Sequence, residues 1–305
     1  MAGIASALKT DNALAYAERH ALHALVIARR GRLALECYGP TYASDRSHAL
    51  YSGTKSFWGV LAVAAQEDGI LRLDEQAALT LREWETEPRK ELITLRDLLN
   101  LTAGFGFGGL GTAVPVASAA LATPLKTMPG TTFTYGGIPL QIFGEVLRRK
   151  LAQRGLSPHD YLRERILEPI GLNVASWRKL KDGTEPLPTG CFAGPLEWLK
   201  FGQLLLERGQ YKGKRVVGEA ALAECFEGSR ANPRYGLGFW LSPLEEAPDI
   251  VYASGSGGQA LYVIPQLETT IVHFGKSASW KHETFLRKLL FDEARPRPRA
   301  PRPGA

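Results

Sequence analysis

Ser52 and Lys55 stand three residues apart where an apolar segment turns into a helix, in Ala49-Leu50-Tyr51-Ser52-Gly53-Thr54-Lys55-Ser56-Phe57-Trp58. A serine hydroxyl is a weak nucleophile at neutral pH and needs a base within hydrogen-bond reach. Residues i and i+3 share one helical face, so the local backbone alone can bring the amine to the hydroxyl. To take a proton that amine must be neutral, against a free pKa of about 10.4. Burial and the positive end of a helix both lower it. The chemistry implied is acylation of Ser52 with Lys55 as its base.

Ser-x-x-Lys recurs at Ser6 to Lys9 and at Ser176 to Lys179. Ser6 lies in a polar N-terminal stretch, and Ser176 lies between Gly171 and the turn-rich Lys181-Asp182-Gly183. Only the match at Ser52 leads into an apolar helix, running from Ser56 to a stop at Gly69.

Tyr135, in Phe133-Thr134-Tyr135-Gly136-Gly137, is a second candidate. A phenol beside an ammonium can become phenolate-like and shuttle protons to a leaving group, and the glycines after it admit a substrate backbone closely. A third is the glycine-rich Ala253-Ser254-Gly255-Ser256-Gly257-Gly258-Gln259, whose backbone N–H groups can face an oxyanion. Gly104-Phe105-Gly106-Phe107-Gly108-Gly109 fits Gly-x-Gly-x-x-Gly, but it follows a helix pattern rather than a strand, which argues against a dinucleotide site. Gly-x-Ser-x-Gly is absent. The six histidines show no zinc spacing and read as surface or packing residues, so neither metal nor cofactor is expected.

These residues must be positioned by a chain of 305 residues with 45% hydrophobic and 22% charged content, ordinary for a globular protein. No apolar run reaches the ~18 residues of a membrane span, and no secretory signal is visible. Cys37, Cys191 and Cys225, odd in number and widely spaced, fit reduced thiols in a cytoplasmic protein. Four of the 37 basic residues lie in the tail, Arg295, Arg297, Arg299 and Arg302, leaving 33 against 31 acids. That near-neutral body makes no case for nucleic-acid binding. The Pro/Arg tail, 295–305, is expected to be disordered.

Leu22 to Arg29 and Arg32 to Tyr38 predict a hairpin around Arg30-Gly31. Signals from Ser56 to about Gly228 are mainly helical, with a capping box at Thr94 to Asp97 and helix starts at Ser157-Pro158 and Gly194-Pro195. Strand patterns return at Tyr235 to Leu241, Ile250 to Tyr252, Leu261 to Ile264 and Thr269 to Phe274, before an amphipathic helix from about Trp280 to Ala294. The fold class expected is α+β, an antiparallel sheet from both chain ends flanked by helices, with a mostly helical inserted domain. It forms one unit over 1–294, with a sheet subdomain of about 12–55 plus 216–294 and a helical subdomain of about 56–215. A cleft between the two is the natural site.

In this order, the three stations resemble the serine β-lactamase and penicillin-binding-protein superfamily. Its class C-like branch of esterases, peptidases and amide hydrolases is the most similar. Ile93 to Gly104, Pro129 to Tyr135, Leu167 to Leu172, Tyr235 to Gly238 and Gly255 to Pro265 also resemble family stretches. The resemblance implies the β-lactamase/transpeptidase-like fold, with Ser52 the acylated nucleophile, Lys55 its base and Tyr135 the proton shuttle. It further implies an oxyanion hole from the backbone N–H groups of Ser52 and Ser256, and a pocket touching Gly137, Ala253 and Gly255.

Two departures bear on substrate. Gly137 stands where the family commonly has the Asn of Tyr-x-Asn, and Ala253 where it has the cation of the third motif. A cation there pairs with a substrate carboxylate, and Arg230, Arg234 or Lys276 are the residues able to replace it. The expected substrate is therefore a small carboxylic ester or linear amide. The alternatives are a D-amino-acid peptidase or weak β-lactamase, and a catalytically silent ligand-binding member of the fold.

Overall fold

The computed structural model describes residues 8–291. The helices are α1 (Thr10–Glu18), α2 (Lys55–Glu67), α3 (Leu95–Leu99), α4 (Ala117–Leu121), α5 (Ile138–Leu151), α6 (Pro158–Leu162), α7 (Pro195–Leu206), α8 (Glu219–Glu224) and α9 (His282–Leu290). The strands are β1 (Leu22–Arg29), β2 (Arg32–Tyr38), β3 (His48–Ala49), β4 (Val174–Trp177), β5 (Cys191–Ala193), β6 (Gln210–Tyr211), β7 (Lys214–Arg215), β8 (Trp240–Leu241), β9 (Val251–Gly255), β10 (Gln259–Ile264) and β11 (Thr269–Gly275). Ser6, the Pro/Arg tail and the last turn expected of the final helix lie outside the described residues.

The main sheet has the order β2-β1-β11-β10-β9-β8, with each neighbouring pair antiparallel. Its first two strands and last four come from opposite ends of the chain, as the separated strand patterns predict. Strand residues alternate faces. Ala24, Val26, Ala28 and Val272 join the core shared with α2 and α7, while Leu25, Ile27, Tyr262 and Ile271 join the core under α1 and α9. The sheet is thus the middle of three layers. In α9, His282, Phe285, Leu286 and Leu289 recur at i, i+3, i+4 and i+7. That spacing puts them on one helical face, and Phe285, Leu286 and Leu289 are buried in the second core.

The hairpin, the capping box at Thr94 and the helix start at Ser157-Pro158 match their sequence signals, and Asp160 closes a second capping box on Ser157. The helix begun at Ser157-Pro158 turns from α into a π turn over Arg163–Leu167. Only Trp240–Leu241 of the expected strand from Tyr235 pairs with β9. Before it the chain lies across α2, with Gly238 at φ +80° and a would-be Cβ there only 2.5 Å from the Lys55 carbonyl oxygen. Close backbone packing, which alternation does not encode, wins over strand geometry there. Among the described residues no helix is long and apolar enough to cross a membrane.

Candidate active site

Ser52 lies in a 3₁₀ turn, Tyr51–Thr54, and Lys55 is the first residue of α2. Tyr51 holds φ +47°, a left-handed conformation uncommon for a residue with a side chain. Lys55 Nζ lies 2.9 Å from Ser52 Oγ, within hydrogen-bond reach, and donates to the Pro188 carbonyl at 3.0 Å. It is 1% exposed, and burial pushes the amine from 10.5 down to about 7.

Tyr135 precedes α5 and stacks on Trp240 at 5.6 Å, with fully buried Tyr235 edge-on to both rings. Lys55 Nζ sits 5.0 Å from the Tyr135 ring centroid. Burial raises the Tyr135 phenol above 10.0, while hydrogen bonding to Ser52 pulls in the opposite direction. Desolvation, the larger of the two effects, thus favours the protonated phenol over the phenolate-like state expected beside an ammonium.

Gly137 serves a purpose the sequence did not disclose. Gly137 N–H donates to the Gly108 carbonyl at 3.0 Å, and a Cβ at Gly137 would lie 1.9 Å from the Gly109 carbonyl oxygen. The Gly-rich run from Gly104 thus occupies the space an asparagine side chain would need. With no such amide present, the Pro188 carbonyl is the second acceptor for Lys55.

Ser256 opens a 3₁₀ turn, Ser256–Gly258, at the end of β9. Buried Gln259 clamps this turn: its Nε2 donates to the Ser256 carbonyl at 2.7 Å and to the Gly275 carbonyl at 2.9 Å. His273 Nδ1 donates to the Gly258 carbonyl at 2.6 Å, and burial drives its imidazole down to about 3, so it is neutral.

Ser52, Tyr135, Gly255 and Ser256 line one cavity of about 730 Å³, with Trp240, Tyr252, Ser254 and His282 also on its wall. Gly137 and Ala253 are not on that wall. Ala253 faces the opposite side of β9 from Tyr252 and Ser254 and packs in the core with α2. Arg230, Arg234 and Lys276 do not line it either, and among the described residues its walls carry no lysine, arginine, aspartate or glutamate. His282, expected to be a surface or packing residue, is on the wall. Its place on the buried stripe of α9 is the signal that could have identified it.

The family model for Beta-lactamase matches residues 15–293. No curated protein matches the chain in sequence. Among solved structures, a Bacillus anthracis protein bearing the name of a 6-aminohexanoate-dimer hydrolase superposes with a TM-score of 0.74 at 20% identity, covering 89% of this chain and 78% of that one. EstCE1, a hydrolase with promiscuous acyltransferase activity, gives 0.70 at 16% identity, covering 92% and 96%. The octameric penicillin-binding protein homologue from Pyrococcus abyssi gives 0.69 at 18% identity, covering 91% and 74%. Likeness at these identities establishes the fold and leaves the substrate open. With its three-layer fold and a family match spanning nearly its whole length, this chain belongs to the Beta-lactamase family.

Proposed function

We propose that the protein is a serine hydrolase that forms and then hydrolyses an acyl-enzyme on small neutral carboxylic esters or linear amides. The observation that carries this reading is the buried Lys55 amine, lowered to about 7 and 2.9 Å from the Ser52 hydroxyl, beside an uncharged cavity. Ser52 Oγ attacks the substrate carbonyl carbon as its proton passes to Lys55 Nζ. The carbonyl oxygen becomes an oxyanion, held by the backbone N–H groups of Ser52 and Ser256. Collapse breaks the bond to the alcohol or amine, which leaves with a proton passed from Lys55 through the neutral Tyr135 hydroxyl. Water then repeats the sequence on the acyl-enzyme and regenerates Ser52.

Labelling with a fluorophosphonate, read by intact mass and peptide mapping, tests this. One adduct is expected, on Ser52, and Ser52→Ala is expected to abolish it. An unlabelled wild type, or an adduct on Ser176, Ser254 or Ser256, would overturn the assignment.

A further inference from the structure

A second chain of polar side chains reaches the cavity from behind the sheet. Trp280 Nε1 donates to Tyr262 Oη at 3.2 Å. Tyr262 Oη lies 2.7 Å from His282 Nδ1, and His282 Nε2 lies 2.9 Å from Ser254 Oγ. Ser254 and His282 line the cavity, whereas Tyr262 is fully buried.

The direction of these bonds follows from counting donors. An indole N–H only donates, so the Tyr262 oxygen is its acceptor. The Tyr262 hydroxyl proton is buried and needs an acceptor of its own. Among the described residues, His282 Nδ1 is the partner that can accept it. Burial keeps His282 neutral, pushing it down to about 4, so the ring holds one proton, on Nε2. That N–H donates to Ser254 Oγ, and the Ser254 proton is left for the cavity.

We propose that Trp280, Tyr262 and His282 form a one-way donor chain aiming the Ser254 hydroxyl proton into the cavity, where it holds substrate through a neutral hydrogen-bond acceptor: an ether, ester or amide oxygen. The inference rests on acylation at Ser52 and narrows its substrate class. A carboxylate also accepts hydrogen bonds, but no cation stands among the lining residues to pair with it: Arg178, which donates to the Gly111 carbonyl, and Arg234, whose charge reaches Tyr252, are not on the wall itself. Ser254 therefore selects a polar, uncharged group. His282 acts through Ser254 and is a positioning residue.

Isosteric substrates measure this. The pairs are p-nitrophenyl methoxyacetate against p-nitrophenyl butyrate, and 2-methoxyethyl butyrate against butyl butyrate. Each ratio of kcat/KM is divided by the same ratio for hydroxide-catalysed hydrolysis. Wild type is expected to favour the ether in at least one pair by about 3- to 10-fold, the scale of one neutral hydrogen bond. Tyr262→Phe and His282→Phe are expected to erase that preference, mainly through KM. His282→Gln, whose amide N–H can still reach Ser254, is expected to retain part of it. No ether preference in wild type, or its survival in His282→Phe, overturns the proposal.

¹⁵N NMR of wild type reads the tautomer even where a variant does not fold. His282 is expected to carry its proton on Nε2 at pH 7, and a proton on Nδ1, or on both nitrogens, overturns the chain. Fluorophosphonate labelling separates the two readings: an unlabelled Ser52 removes the proposed function, whereas a labelled Ser52 with the wrong tautomer removes this chain alone.

Discussion

At the scale of single residues, Lys55 holds two opposing effects. Burial moves its amine from 10.5 to about 7, which destabilises the ammonium and frees a lone pair for Ser52. With the neutral amine as the proposed base, kcat/KM on p-nitrophenyl butyrate is expected to rise about tenfold per pH unit below the folded pKa and to level off above it. A profile flat from pH 5 to 8 would remove Lys55 as base. Lys55→Arg, whose guanidinium does not give up its proton in proteins, is expected to cost roughly 10²-fold or more in kcat. The same shift acts on stability. Between pH 7 and 10.5 the unfolded chain holds a proton that the folded one has released, so this group's contribution becomes more favourable as pH rises through that window. Tyr135 follows the same rule with opposite charge, because desolvation penalises the phenolate and favours the protonated hydroxyl that the proposed relay requires.

At the scale of elements, the site is a meeting of turns. The 3₁₀ turn Tyr51–Thr54 sets Ser52, the loop before α5 sets Tyr135, the turn after β9 sets Ser256, and the segment before β5 supplies the Pro188 carbonyl. Loops held on rigid elements are where chemistry is usually placed. Gly137 shows how tightly they interlock. Gly137→Asn restores the residue common in the family, yet its Cβ must enter space 1.9 Å from the Gly109 carbonyl oxygen. Overpacking of this kind costs on the order of 1–3 kcal/mol. The variant is expected to melt several degrees below wild type and to gain no nitrocefin hydrolysis. An unchanged Tm together with new activity on nitrocefin would show that the Gly104–Gly111 loop yields freely.

At the scale of the whole molecule, the cavity between sheet and helices decides which charge can enter. Its walls bear hydroxyls, aromatic rings and a neutral imidazole. A substrate carboxylate thus meets the wall as a unit rather than Ala253, which is packed in the core. A carboxylate deprived of a charge-assisted hydrogen bond loses about 1.5–3 kcal/mol, or roughly 10- to 100-fold in kcat/KM. Wild type is expected to process p-nitrophenyl butyrate more efficiently than nitrocefin. The reverse order, measured at one pH and salt concentration, would mean that a cation reaches the bound substrate.

Residue order alone carries the features that short-range geometry sets. Ser52 and Lys55 meet because three residues of helical backbone bring them together. The β1–β2 hairpin, the capping boxes and the strand faces follow from local spacing in the same way. Tertiary structure decided the rest. The Pro188 carbonyl reaches Lys55 across 133 residues of sequence and His282 reaches Ser254 across 28, with no periodicity to announce either contact. It also decided that Gly137 is enforced by a neighbouring backbone and that Ala253 turns away from the cavity. The pKa of Lys55 belongs to this second group. Residue spacing can place an amine beside a hydroxyl, but desolvation is a sum over everything packed around it, and that sum exists only once the distant segments have closed over the site.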